Sequence, residues 1–191
     1  MSVFLSVENI NLTYQTAEGE TQAVKDVSFT ANEGEFISIV GPSGCGKSSL
    51  LSCIAGVTLP TNGRIMLDGR QIKGISNDVG YMLQSDNLMP WRNIYKNAVL
   101  GLEIQKKLTS ENISYAQELL KKYGLWEFRN SYPASLSGGM RQRVALIRTL
   151  AVKPRLLLLD EAFSALDYQT RVNVSKDVYD ILRIEKQTMI M

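Results

Sequence analysis

A run of five apolar or small residues, Phe36-Ile37-Ser38-Ile39-Val40, ends in Gly41-Pro42-Ser43-Gly44-Cys45-Gly46, and helical spacing begins at Lys47 and runs to Ala55. The first run reads as a strand and the last as a helix. Glycines between them let the backbone turn tightly and bring its N–H groups to one spot, where the helix dipole adds positive charge. The chain is thereby committed to a strand–loop–helix unit, the building block of an α/β fold. With Lys47 and Ser48 the loop fits G-x-x-x-x-G-K-[ST], the pattern of a phosphate-binding loop. Lys47 is placed to reach the β- and γ-phosphates of a nucleotide, and the Ser48 hydroxyl to ligate Mg²⁺.

Leu156-Leu157-Leu158-Leu159 is a continuous apolar run of the kind found in a parallel strand buried on both faces. It ends in Asp160-Glu161, at the edge of the sheet where ligands bind in such folds. Asp160 is suited to hold Mg²⁺ through water and Glu161 to polarise an attacking water. Taken alone, the pair is also what a strand ending in solvated acids looks like. A second glycine-rich element, Leu136-Ser137-Gly138-Gly139-Met140, opens another helix. Ser137 can cap it, and the two glycines let N–H groups approach an anion. Two phosphate-binding helix starts in one chain mark an ATPase whose active site is split between two subunits.

Elsewhere, Phe4 to Tyr14 and Thr21 to Ala31 alternate as strands around a polar turn at Glu18-Gly19-Glu20. Arg64 to Leu67 and Val79 to Leu83 read as short strands. Asn93 to Leu102 and Ser110 to Tyr123 read as helices, the second with Ile113, Ala116, Leu119, Leu120 and Tyr123 on one face and Gly124 as its stop. Val174, Val178, Ile181 and Leu182 define a later amphipathic helix, and Thr188 to Met191 begins a strand. The 191 residues suit one domain: a catalytic core at 1–84 and 136–191 with a helical subdomain at 85–135.

Twenty-one basic and nineteen acidic side chains leave a charge of +2, too balanced for a nucleic-acid partner on charge alone. No apolar run approaches the length that spans a bilayer. Two cysteines make no disulfide framework and suit a reducing compartment. Cys45 is expected to be the more reactive and to be shielded by nucleotide, and Cys53 to pack inside a helix. The sequence contains no histidine, so no His base or His metal site exists within it.

The phosphate loop, Leu136–Met140, the strand into Asp160-Glu161, and Ser164-Ala165-Leu166-Asp167 stand in the order and spacing of the ATP-binding cassette (ABC) transporter ATPases, which the chain resembles over nearly its whole length. That resemblance implies an α/β P-loop NTPase fold of the ABC type, with an N-terminal antiparallel β region and an inserted helical subdomain. It implies ATP and Mg²⁺ as ligands. Gly41, Pro42, Ser43, Gly44, Cys45, Gly46, Lys47, Ser48 and Ser49 would cradle the phosphates, and Tyr14, otherwise a strand aromatic, would stack on adenine. Gln84 resembles the glutamine that touches Mg²⁺ or the lytic water, its rival reading being a surface residue ending a strand. Ser137, Gly138 and Gly139 would contact the nucleotide held by the opposite copy, with Asp167 at the dimer interface.

Ser85 to Ile94 with its Leu-Met-Pro-Trp element, and Asn97 to Glu103 after it, resemble the ATPases of nitrate, sulfonate and taurine importers. The resemblance implies a head-to-tail homodimer with ATP between its copies. It also implies a separate transmembrane permease, indirectly a solute-binding protein, and a place at the cytoplasmic face of the membrane. Trp91 either meets the permease or packs the subdomain. Met140 stands where the family usually has glutamine, and Ala162 where it has proline. Family members follow the strand at Thr188 with a switch histidine, so the domain is expected to continue past Met191 and residues 1–191 to hydrolyse ATP weakly alone. Two other readings remain. A non-transport ABC ATPase acting on nucleic acid or ribosomes would show a coiled-coil insertion or a second cassette. A P-loop kinase would lack the Ser137-Gly138-Gly139 element.

Overall fold

The computed structural model describes residues 3–17, 19–161, 168–169, 171–172, 175–176 and 187–191 of the chain. They fall into two compact units, Met1–Val79 with Arg155–Asp160 and Leu182–Met191, and Gly80–Pro154 with Glu161–Ile181. Residues 136–154 thus group with the helices, whereas the sequence reading returns them to the core. The amphipathic helix expected around Val174, Val178, Ile181 and Leu182 lies outside the described residues.

The first unit contains an antiparallel sheet in which β1 (Val3–Thr16) lies between β2 (Gly19–Asn32) and β4 (Asn62–Leu67), with β5 (Arg70–Gln71) beyond β4. Leu5 and Val7 of β1 are buried, and so are Ile10 and Leu12. Strict alternation would send the second pair to the opposite face. Asn9 prevents this by taking a left-handed φ of 49°, where the register with β2 shifts between Val7 and Ile10. The extra residue returns the apolar side chains to the core face. Asn9 Nδ2 donates to Asp26 Oδ1 at 3.0 Å, and its backbone N–H to Ser28 Oγ at 2.8 Å, which hold the bulge.

The same unit carries a parallel arrangement, β3 (Phe36–Ile37) against β8 (Thr188–Ile190) and β8 against β7 (Leu156–Leu159). All four leucines of β7 are buried, as a strand covered on both faces requires. β3 is shorter than the predicted 36–40. Beyond it Met191 N–H still donates to Ile37 O at 2.9 Å and Ile39 N–H to Met191 O, so the contact continues without a regular ladder. Arg155, at the entry to β7, donates to Asp68 at 2.7 Å and to Glu33 at 3.1 Å, and its guanidinium lies over the Phe4 ring. That hydrogen bond holds the Asp68 carboxyl below its ordinary range. Helix α1 (Lys47–Ile54) buries Leu50, Leu51, Cys53 and Ile54.

β6 (Val79–Met82) leads into the second unit. The predicted helix over 93–102 is two short ones, α2 (Ile94–Ala98) and α3 (Leu100–Ile104), because Val99 leaves helical backbone with ψ near 3°. A side chain on Gly101 would meet Val152 at 2.8 Å, so α3 lies close against that residue. α4 (Ser110–Lys122) is capped by Thr109 and buries Ala116, Leu119 and Leu120, while Gly124 (φ 68°) ends it as read from sequence. α5 (Gly138–Leu150) begins where predicted, with Ser137 as its cap. Val99, Leu102, Ala116 and Ala151 form one core cluster joining α3, α4 and the end of α5.

Asn97 is fully buried and organises the turn before α2. Its Oδ1 accepts from Met89 N–H at 2.8 Å, and its Nδ2 donates to the carbonyls of Met89, Arg92 and Asn93. Asn97→Ala leaves those backbone groups unpartnered and is expected to cost about 2–4 kcal/mol. A urea titration checks it: the midpoint should fall with the slope unchanged.

Candidate functional site

The phosphate loop lies in the first unit. Gly44 (φ 78°) and Gly46 (φ 98°) adopt backbone that other residues rarely take. Gly46 is constrained twice over, because a Cβ there would fall 2.1 Å from the Ala23 carbonyl of β2. Cys45 N–H donates to Pro42 O at 3.3 Å and closes the turn, and Leu50 N–H donates to Gly46 O at 2.9 Å to start α1. Lys47 Nζ curls back over the loop to the carbonyls of Gly41 and Pro42, at 2.9 Å each. Ser48 Oγ donates to Asp160 Oδ1 at 2.8 Å, which joins the first turn of α1 to the end of β7. Of the three residues that the sequence reading assigns to a metal, Ser48, Gln84 and Asp160, the first and last are therefore neighbours, although 112 positions separate them.

A cavity of about 500 Å³ lies beside the loop, between Cys45–Lys47 and residues Gln22–Lys25 of β2, with Val27, Ile39 and Leu50 completing its wall. The β2 residues carry no motif, so nothing in their pattern points to this position. Tyr14 does not line the cavity. It is partly exposed, and its hydroxyl stands 3.4 Å from Ser49 Oγ at the start of α1. Ser43 is exposed in the loop.

In the second unit Gln84 Nε2 donates to Glu161 Oε2 at 2.9 Å. Glu161 has a left-handed φ of 47°. Backbone of this kind in a non-glycine residue is uncommon and concentrates at functional positions. Ser137 Oγ accepts from Met140 N–H at 3.3 Å, the capping bond its sequence position predicts. Gly138 and Gly139 form the first turn of α5, and a Cβ on Gly138 would meet nothing closer than 3.9 Å. That turn is open. Asp167, with Ser164, Ala165 and Leu166, lies outside the described residues.

The two cysteines differ as expected. Cys45 is exposed and its Sγ is 3.9 Å from Lys47 Nζ, whereas Cys53 is buried and burial pushes its thiol up to about 11. A maleimide at pH 7 should therefore label Cys45 first, and MgATP should slow that labelling by at least about tenfold if nucleotide covers the loop. Mass spectrometry of the labelled peptides gives the answer, and equal labelling of Cys45 with and without MgATP would remove nucleotide from this loop.

The profile of the ABC transporter family matches residues 24–164. The chain is 47% identical over 188 residues to the uncharacterized ABC transporter ATP-binding protein YtlC of Bacillus subtilis, covering 98% of this chain and 72% of that protein. It is 41% identical over 177 residues to the taurine import ATP-binding protein TauB of Pseudomonas aeruginosa, covering 93% of this chain and 67% of TauB. Its fold is similar, at a TM-score of 0.88, to a dimeric post-hydrolysis state of the ATP-binding cassette MJ0796 bound to ADP and Pi. That similarity carries 32% identity and covers 97% of this chain and 86% of the other. A family model matched over residues 24–164, relatives 41–47% identical over most of the chain and a cassette of the same fold agree, and the chain belongs to the ABC transporter family as one of its ATP-binding ATPases.

Proposed function

We propose that the chain energises solute import: it binds MgATP and works as a head-to-tail homodimer with two ATP molecules between the copies. It docks on a separate permease at the cytoplasmic face of the membrane, and a solute-binding protein delivers the cargo to that permease. One observation carries this reading. The chain has two helix starts built for anions, α1 behind Gly46 and α5 behind Ser137, and they belong to different compact units. One nucleotide occupies the first, and the second is left for the nucleotide of another copy.

In this reading the loop N–H groups and Lys47 hold the phosphates, with Tyr14 at the base. The Ser48 hydroxyl and the Asp160 carboxylate are oxygen donors of the kind a hard divalent cation takes. Mg²⁺ held there would offset phosphate charge. Among the described residues no three His, Cys, Asp or Glu side chains converge, so phosphate oxygens and water would complete its shell. Gln84 fixes Glu161 through Oε2, which leaves Oε1 to accept a proton from the attacking water.

Among the described residues no helix is long and apolar enough to cross a membrane. Trp91 is 72% exposed on the turn that Asn97 pins, a rigid mount for an aromatic contact. The test is to co-purify the chain with its permease and measure ATPase activity in vesicles with and without solute. Stimulation by solute is expected, and Trp91→Ala should weaken complex formation at least about tenfold while sparing nucleotide binding. Activity indifferent to both permease and solute would reject the transport reading.

A further inference from the structure

Helix α5 does more than present Ser137. Three of its side chains grip the residues that follow β6. Gln142 Nε2 donates to Gln84 O at 3.3 Å, and Arg141 Nε donates to Asp86 Oδ2 at 2.9 Å. Arg148 donates to the carbonyls of Asp86 and Asn87, at 2.8 Å each. Arg141, Ala145 and Arg148 follow one another at i, i+4 and i+7, so they share a stripe of the helix, with Gln142 beside it. Ala145 between them is small and buried, which lets the segment lie close. The segment itself is stiff: Asn87 has φ 46°, Asp86 Oδ1 accepts from Leu88 N–H at 3.1 Å, and Asn87 Nδ2 donates to Ser85 O at 3.0 Å.

Gln142 is 5% exposed, and its Oε1 has no hydrogen-bond partner among the described residues. A buried amide with an idle oxygen is costly. Among the described residues the hydrogen bond of its amide falls on the main chain of the residue whose side chain holds Glu161. The order of contacts is therefore α5, Gln142, Gln84, Glu161.

We propose that Gln142 is a positioning residue for hydrolysis, which, with Arg141 and Arg148 as anchors, fixes the Gln84 backbone so that its amide meets the Glu161 carboxylate. This deepens the ATPase reading above and rests on it. Because Ser137 and Gln142 stand on adjoining turns of α5, a ligand that moves the start of α5 moves Gln84 with it. Occupancy at one copy's Ser137 is thereby reported to that same copy's base.

Gln142→Met tests the idea, because methionine keeps the volume and helix propensity and removes both the donor and the idle oxygen, so folding is spared. Expected in the variant are a kcat for ATP reduced about tenfold, a KM for ATP within about twofold of the parent, and amide exchange accelerated over residues 84–88. In a Gln84→Ala background, Gln142→Met should cause no further loss of kcat, since the group it positions is gone. Additive losses in that double variant, or unchanged exchange over 84–88 in the single one, would overturn the proposal. A parent protein that hydrolyses no ATP under any condition would bring down the function proposed above and the catalytic half of this inference. The exchange experiment would still report on the grip of α5 itself.

Discussion

Glu161→Gln is expected to lower kcat for ATP by about 10²–10⁴-fold while leaving nucleotide affinity nearly unchanged. The side-chain hydrogen bond of Glu161 is to Gln84. The substitution keeps an oxygen for Gln84 Nε2 and asks no more of the left-handed backbone at φ 47° than glutamate does. What disappears is the carboxylate proposed to take a proton from water. If two copies share two nucleotides, this variant should bind MgATP and then stall as a dimer. Size-exclusion chromatography with light scattering, run with and without MgATP, is the decisive measurement. A variant that stays monomeric at saturating MgATP removes the split site, and one that retains parental turnover removes Glu161 as the base.

Lys47→Ala carries the second large effect, this time on binding. Its ammonium donates to the Gly41 and Pro42 carbonyls, both exposed, so its removal lets water take over those groups at small cost to folding. Toward a triphosphate the same ammonium would make charged hydrogen bonds worth about 1.5–3 kcal/mol each. Losing two of them weakens ATP by about 10²-fold or more. Thermal stability reports this directly. ATP at a hundred times the parental Kd should stabilise the parent by about 2.7 kcal/mol and the variant by only about 0.4 kcal/mol. Equal stabilisation of both would show that the loop does not hold the phosphates.

The parts of this molecule that sequence alone disclosed are local in the chain. The phosphate loop, the leucine run of β7, the Ser137 cap and the Gly124 stop each depend on residues within a few positions, and each stands where the pattern puts it. What sequence could not disclose comes from approach between distant segments. The Asn9 bulge breaks the alternation of β1 through partners on β2, and Gly101 lies against Val152 beside a helix break that periodicity does not signal. The candidate site divides in the same way. Residue type and order point Ser48 and Asp160 to one metal, but their 2.8 Å contact is a fact of the fold. The wall at Gln22–Lys25 and the grip of Gln142 and Arg148 have no motif of their own.

The approach of Gly46 to the Ala23 carbonyl has a consequence for heredity. A loop pressed against a neighbouring strand inherits that strand's errors. Positions 22–24 are unremarkable as letters, yet any change that lifts this stretch of β2 reshapes the mould in which the loop is cast. A deep mutational scan selecting for nucleotide binding should show a second trough of intolerance there, some twenty residues upstream of the motif and deepest where the backbone, not the side chain, is disturbed.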